Sequence, residues 1–533
     1  MKIRHWLFLG VVSAAIMLSV SLFQNSPGYM DADYYYAGGL RLYHGFGFSE
    51  PFLWNYLDDP QGLPHPSHTY WMPLSSILAF LGMRLAGSDT FAAARIGFLL
   101  IAILIPIATA WLAYSFTGQR ASAILSGCLA MLPGFYLSYL GTTDSFGIAM
   151  LLGAGFFLMS NGSNKMGVKL QALSLGVLAG LMHLARADGM TWLLLSMLVV
   201  NKRVGEYVRD LNPATPFVTG RLKLIHYLLC LLGYGIAFGP WMLRNYLETG
   251  TPLSVGGWKT LWLLDYDELF SYPATLVTPA RWWSSGLAAI GRARLDALWQ
   301  NIQTALVVQG EIYLAPLIGI GFWLNRRQLR VRIGLLGWCL VFLIMTVVFP
   351  FVGWRGGFFH SGAAFQPLLW AVAPTGLEGF IRWGARNRGW NAQQARLVFS
   401  VSLIVLSVFL SVFAVGKRVI GEDFRAPIWD QSWRGYVRIE EELRTLGANP
   451  DDIVLVNNPP GYYVASGRSA IAIPNGGVET VCRAAQQYAA GYMILEINHP
   501  AGLAALYTHP ENQSCLNHLA EVDGAHVFQI IWE

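Results

Sequence analysis

Charge is what this chain has least of. Only 13% of its 533 residues are Asp, Glu, Lys or Arg, against 54% hydrophobic, where soluble globular proteins carry about a quarter charged. That balance excludes an ordinary soluble enzyme and points to the bilayer. Cysteine is sparse too, five in all. Cys128, Cys230 and Cys339 fall inside apolar runs and read as small buried hydrophobes. Cys482 and Cys515 lie in the C-terminal tail, expected outside the cytoplasm, where a disulfide is allowed. Nucleotide-binding glycine fingerprints, a His-Glu-x-x-His element and a Gly-x-Ser-x-Gly elbow are missing from any context that would support them. ATPase, dehydrogenase, zincin and hydrolase chemistries drop out with them. The net charge of +5 sits in short loops between apolar runs, where it sets topology, so no nucleic-acid partner is expected.

Apolar runs near the length that crosses about 30 Å of hydrocarbon are abundant. The first, Trp6 to Phe23, follows Lys2 and Arg4 without a cleavage site and reads as an uncleaved helix. Later spans are expected at 91–116, 121–140, 145–160, 170–184, 189–200, 224–243, 304–324, 333–352, 361–381 and 397–416. The run from Trp71 to Leu85 is short and reads as re-entrant or interfacial. With about eleven spans and the N-terminus inside, every short cytoplasmic loop is basic. Those loops hold Arg120; Lys165 and Lys169; Lys202, Arg203, Arg209, Arg221 and Lys223; Arg326, Arg327, Arg330 and Arg332; and Arg382, Arg386, Arg388 and Arg396. Fusing 170–184 with 189–200 would place the later basic loops outside, so the two stay separate.

Three parts then share the outer face: the first loop (24–90), the loop from Arg244 to Gln303, and the tail from Lys417. In the tail, helix-like stretches at Trp433–Leu446 and Val478–Ala489 alternate with strand-like ones at Asp452–Val456, Tyr492–Ile497 and His526–Trp532. The expected fold is an all-α polytopic membrane domain (1–416) followed by a small extracytoplasmic α/β domain (417–533).

Asp31 and Asp33 follow the first helix closely. On an extended backbone both would face one pocket; in a helix they would diverge, as acidic first-turn or capping residues ahead of Tyr34 to Leu42. On the same side, Asp144 heads the span from Ser145, as a cap or a site group. Arg186 and Asp188 lie between two short spans, paired with each other or serving a site. Arg244 follows Pro240 and Trp241, suited to headgroups or to a phosphate. Arg355 and His360 flank Gly356 and Gly357, which allow either a tight turn or close approach of a ligand. His65 and His68, near Glu50 and the Asp58–Asp59 pair, are weak metal candidates, because three-residue histidine spacing lacks a fixed partner. Carboxylates beside arginines at one face of a membrane suit a reaction on a lipid-linked phosphate ester.

The arrangement resembles the GT-C superfamily of polyprenyl-phosphate-dependent glycosyltransferases, in particular the bacterial relatives of protein O-mannosyltransferases and the lipid A aminoarabinose transferase. The stretch from Asp31 to Gly45 carries the likeness, with Trp71 to Leu74 leading to Ala94 and Arg95, and Thr143 to Ser145. Leu184 to Gly189, Pro240 to Tyr246 with Gly250 to Pro252, and His360 to Ser361 ahead of Pro367 extend it. Two departures stand out: many relatives carry His-Pro-Pro-Leu where this chain has Trp71-Met72-Pro73-Leu74, and relatives pair Asp with an adjacent Glu.

The resemblance implies a membrane enzyme that moves a sugar from a polyprenyl-phosphate donor to a lipid, glycan or protein acceptor, with inversion. Asp31 and Asp33 are then the catalytic residues, and Asp144, Arg186, Asp188, Arg244, Arg355 and His360 bind substrate. No cofactor is implied beyond a divalent metal, left open. Two other readings compete. A flippase of lipid-linked sugars would place its polar groups at the membrane midplane and usually shows inverted repeats, absent here. A non-catalytic assembly protein would use the tail loop Asn457 to Gly461 as its interacting part.

Overall fold

Within hydrocarbon, an apolar run satisfies its own backbone groups only as a helix. In this computed structural model, which describes residues 2–58, 60–161, 167–210 and 216–531, six helices among the described residues are long and apolar enough to cross a membrane. They are α1 (Ile3–Ser21), Phe91–Thr117, Val168–Ala185, Gly220–Thr249, Leu329–Val348 and Ala392–Ile420. Further helices follow the other expected runs: Arg120–Met131, Phe146–Met159, Met190–Asp210, Ala315–Asn325 and Gln366–Arg388. Asp59, Lys165 and Trp532 lie outside the described residues.

Three runs differ in detail from expectation. The run at 121–140 breaks at Pro133 and continues as a 3-10 helix, Gly134–Tyr139, because proline supplies no N–H to the ladder. The run at 304–324 opens as a π-helical stretch, Thr304–Gln309, and restarts at Ala315. Trp71–Leu85 becomes the regular helix Leu74–Ala86. The two short runs do stay separate: Arg186 is extended at φ −154°, ψ 142°, and a single 3-10 turn leads from it into Met190.

The first loop and the tail fold together. After α2 (Met30–Tyr43) come β1 (Ser49–Glu50), β2 (Phe52–Leu53) and β3 (His65–Pro66); the tail supplies β4 (Ile453–Val456), β5 (Ala470–Ala472), β6 (Ala490–Leu495), β7 (Leu516–Val522) and β8 (Ala525–Ile530). β1 pairs with β3, and the six-stranded sheet runs β2-β5-β4-β6-β8-β7. β2 joins its edge in parallel register, Phe52 opposite Ala470 and Leu53 opposite Ile471. A single apolar core holds Tyr34, Phe52, Trp54 and Leu57 of the first loop together with Leu455, Ile471 and Phe528 of the tail.

Cys482, on the helix Val478–Tyr488, is disulfide-bonded to Cys515 just ahead of β7, with Cα atoms 5.9 Å apart and a sequence separation of 33. Closing a loop of that length removes roughly 3–4 kcal/mol of chain entropy from the unfolded tail. Replacing both cysteines by serine should therefore speed proteolysis within 478–530 under native conditions while leaving the apolar helices resistant. Equal cleavage of the parent and the double variant would refute this.

A candidate active site at the base of helix α2

Helix α2 begins at Met30, with Tyr29 as its extended N-cap, so Asp31 and Asp33 are both first-turn acids. At 100° per residue they point about 200° apart. The pair therefore splits. Asp31 lines a cavity of about 680 Å³, together with Tyr35 one turn further on. Asp33 is buried against the tail, where it accepts a hydrogen bond from Asn458 Nδ2 at 3.0 Å. Burial, offset in part by that hydrogen bond, pushes the Asp33 carboxyl up to about 7. Any side chain at Gly461 would bring its Cβ within 2.8 Å of the same carboxylate. Of the two arrangements open to the pair, the helical one is formed, so Asp33 does not line the cavity with Asp31.

His360 lies between two carboxylates, with Nε2 3.5 Å from Asp31 and 3.4 Å from Asp144. It is carried by the short helix Gly357–Gly362, and the turn before that helix is made by Gly356 in the left-handed region at φ 95°. The paired glycines thus serve a turn. Asp144 sits behind the imidazole, its side chain 1% exposed, and accepts hydrogen bonds from the Tyr29 hydroxyl at 2.6 Å and from the Ser145 amide. Burial disfavours its charge, but His360, Tyr29 and Ser145 outweigh burial and hold its pKa below the usual carboxylate value. On His360 burial likewise opposes charge and the Asp144 carboxylate overrides it, so the imidazole pKa is raised. Asp31 lacks comparable donors, and burial pushes it up to about 6 against the pull of His360. Asp144 is thus the settled anion and Asp31 the carboxyl poised near neutrality.

His360 Nδ1 lies 3.1 Å from the Gly356 carbonyl. If it donates there, a neutral ring turns the bare Nε2 lone pair toward two carboxylates, which repel it. A second proton on the ring, a proton on Asp31 shared with Nε2, or a cation standing between the three groups would each relieve that repulsion. The donor set suits the last as well: one atom each from Asp31, Asp144 and His360 fall within 4.8 Å of one another, and two carboxylates with an imidazole are good ligands for a divalent ion.

Polar and apolar groups both line the cavity. Among the polar ones Arg186 pairs with Asp188 (3.0 Å), and the Arg355 guanidinium stacks on the Tyr266 ring at 3.8 Å. Among the described residues Arg355 makes no salt bridge. The apolar lining includes Leu194, Phe238, Leu340 and Ile344 from helices of the membrane-type bundle. Trp54 and Trp71, stacked at 4.0 Å and 6°, close one side.

Two sets of expected residues are elsewhere. Arg244 does not line the cavity; it donates to the Phe48 carbonyl at 2.9 Å and stacks on Trp241 at 4.8 Å. His65 meets Glu50 at 3.2 Å and the Phe52 carbonyl at 3.1 Å, whereas His68 bonds Ser67 and Ser76. The two histidines tie down β1, β3 and the helix Leu74–Ala86 and, among the described residues, form no metal-binding group. Tyr29, Tyr266, Trp429 and Asp430 were not singled out from the sequence. Tyr29 adjoins the acidic pair and was within reach. Asp430, 404 residues from Ser26, accepts from the amide and hydroxyl of Ser26 (2.9 and 2.8 Å) and from the amide and side chain of Asn25 (3.0 and 2.9 Å). Trp429 bonds the Ser26 carbonyl at 2.9 Å and packs on Gly28, where any Cβ would come within 2.3 Å of the indole. This latch fixes the segment that leads into Asp31.

Comparison with protein-family profiles finds no match, and comparison with curated proteins finds none either. Solved structures do match. The chain shares its fold with ArnT and with the oligosaccharyltransferase AglB, and its long apolar helices support an integral membrane protein. ArnT from Cupriavidus metallidurans bound to undecaprenyl phosphate aligns at TM-score 0.56 and 12% identity, covering 98% of each chain. The archaeal oligosaccharyltransferase AglB from Archaeoglobus fulgidus, in complex with an inhibitory peptide and a dolichol-phosphate, aligns at TM-score 0.52 and 13% identity, over 92% of this chain and 69% of that one. An Archaeoglobus fulgidus oligosaccharyltransferase in complex with Zn and sulfate gives TM-score 0.52 and 13% identity, with 92% and 68% covered.

Asp430→Ala should strand the Asn25 and Ser26 amides. At about 1–3 kcal/mol per buried donor left unpaired, the melting temperature should fall by several degrees and a protease should gain access to the 421–430 connection. An unchanged melting curve would mean the latch carries no stability.

Proposed function

We propose that this protein is a membrane glycosyltransferase that moves a sugar from a polyprenyl phosphate to a lipid, glycan or protein acceptor, with inversion at the anomeric carbon. The observation that carries the proposal is the make-up of the cavity lining. Apolar side chains from the helices suit a prenyl chain, and Asp31, His360 and two arginines on the same walls suit a sugar phosphate. Asp31 is the general base. It takes the acceptor hydroxyl proton as that oxygen bonds the anomeric carbon, and the bond from that carbon to the phosphate oxygen breaks. The leaving phosphate gains charge, so it needs cations more than a proton. Arg355, free of any ion pair among the described residues, and Arg186 supply preorganised positive charge there.

Asp144, held by Tyr29, keeps His360 oriented toward Asp31. A divalent ion bound by Asp31, Asp144 and His360 would neutralise phosphate oxygens; the donor set supports such a site, and the zinc of the archaeal relative agrees with it. Asp33 has a different part in this reading: it locks α2 to the tail through Asn458 and so sets the direction of Asp31. The topology that goes with this function is eleven crossings, the N-terminus in the cytoplasm and the cavity opening to the outer face of the inner membrane. Residues 1–416 form the transferase-like domain and 417–533 an extracytoplasmic domain completed by β2.

The deciding experiment is release of polyprenyl phosphate from a panel of polyprenyl-phosphate sugars by purified, folded protein. Asp31→Asn should lower turnover by about 10²–10⁴-fold, the usual worth of a general base. Asp33→Asn, still able to bond Asn458, should lose less than about 10-fold. Equal losses at both positions, or full activity of Asp31→Asn, would overturn the assignment. Arg355→Ala should cost about 10²-fold in turnover, by removing one charge that strengthens in the transition state, and Arg355→Lys should recover part of it. An Arg355→Ala variant with native turnover would place phosphate stabilisation elsewhere.

A further inference from the structure

A second group of side chains, remote in sequence from the cavity residues, sits on the terminal hairpin of the sheet. In the β7–β8 register Glu521 stands opposite His526, and His518 opposite Phe528. Directly paired residues share a face, and so do residues two apart on one strand. His518, Glu521 and His526 therefore crowd one face at the sheet edge. The two imidazole rings have centroids 5.4 Å apart. His526 is only 8% exposed. His518 Nε2 and His526 Nδ1 are both buried and, among the described residues, have no hydrogen-bond partner. The rings around them offer none: Tyr507 packs on His526 at 5.1 Å and uses its hydroxyl on the Gly524 carbonyl, and Phe528 flanks His518 at 5.2 Å. The one charged group at hand is Glu521, its Oε2 4.0 Å from His526 Nδ1.

We propose that His518, His526 and Glu521 bind one divalent transition-metal ion of the zinc type at the edge of the sheet. Two imidazoles on one tetrahedral zinc, with Zn–N about 2.0–2.1 Å, bring their ring centres to roughly 5 Å, close to the observed spacing. Two neutral nitrogens with one carboxylate select a borderline cation such as zinc over calcium or magnesium, which take oxygen ligands. Glu521, 60% exposed, has the freedom to swing the remaining distance, and solvent supplies the fourth position. Loading would give both orphaned nitrogens a partner and pin β7, the edge strand whose start is already tied by the Cys482–Cys515 bond. The site is independent of the glycosyltransferase reading and of the Asp31–Asp144–His360 group.

The test uses tag-free, full-length protein in detergent, stripped with a chelator and titrated with zinc against a chromophoric competitor. The Asp31–Asp144–His360 group also offers ligands, so the count of bound ions is compared between variants. His518→Ala and His526→Gln should each bind one equivalent fewer than the parent. Glu521→Gln, a change at an exposed position that leaves the rings intact, should weaken that equivalent at least ~10-fold, the smallest loss usual even for an outer partner of a metal ligand. His509→Ala, an exposed neighbour, should match the parent. Melting in chelator checks that each variant folds, and if either histidine variant does not, Glu521→Gln decides. Equal stoichiometry and affinity in the parent and in every folded variant would overturn the proposal.

Discussion

The contact of His360 with Asp31 and Asp144 governs the rest of the site. In a protein this poor in charge, a carboxylate withdrawn from water survives only with partners, and the buried Asp144 shares one imidazole with Asp31, whose side chain is 29% exposed. Asp144 has further donors in Tyr29 and Ser145 and takes the larger share of the stabilisation. Asp31 is left the less satisfied of the two, and burial raises its pKa to about 6. The asymmetry between two chemically identical groups arises from their neighbours alone, and it shifts their pKa values in opposite directions.

That asymmetry holds only while three separate stretches of chain keep their places. Asp31 rides on α2, Asp144 on the turn before Phe146–Met159, and His360 on a short helix set by Gly356. α2 is buried on several sides: Tyr34 receives the His68 amide, Tyr36 bonds the Asp89 carbonyl, and Asp33 meets Asn458. Trp429 and Asp430 then grip the segment just before it. The tail thus fastens the site from two directions, through the latch at its start and through the loop at Asn458. The assembly role considered for the Asn457–Gly461 loop has an internal counterpart here, since Asn458 and Gly461 pack against α2 of the same chain.

The membrane-type architecture was legible because a long apolar run leaves the backbone one solution, and the basic loops kept the break at Arg186 in view. Helix boundaries at Pro133 and within 304–324 were less so, since local proline and π-helical geometry leave hydropathy unchanged. The acidic pair shows the limit of a motif. Its two residues are identical in type, and only the period of the backbone, 3.6 or 2, decides whether they act together; the same eight letters permit either. Arg244 was drawn toward the site by shared sidedness, yet an arginine beside Trp241 and the Phe48 carbonyl is satisfied where it stands. β2 has two residues and β5 three, too few for any periodicity to show. Tertiary pairing makes them strands, and the Asp430 latch leaves no local mark at all.

The parallel pairing of β2 with β5 also bears on the order in which the protein is made. A ribosome delivers the first loop early, but the strand it contributes has no partner until nearly the whole polypeptide has been synthesised. Tyr56, whose hydroxyl bonds the Ala472 carbonyl across 416 residues, and Ser26, which waits for Asp430, are in the same position. Contacts of such long range form late. A chain cut short before the tail would lack the Asp430 and Asn458 contacts that hold the start of α2, so the direction of Asp31 is set only once the whole chain is made.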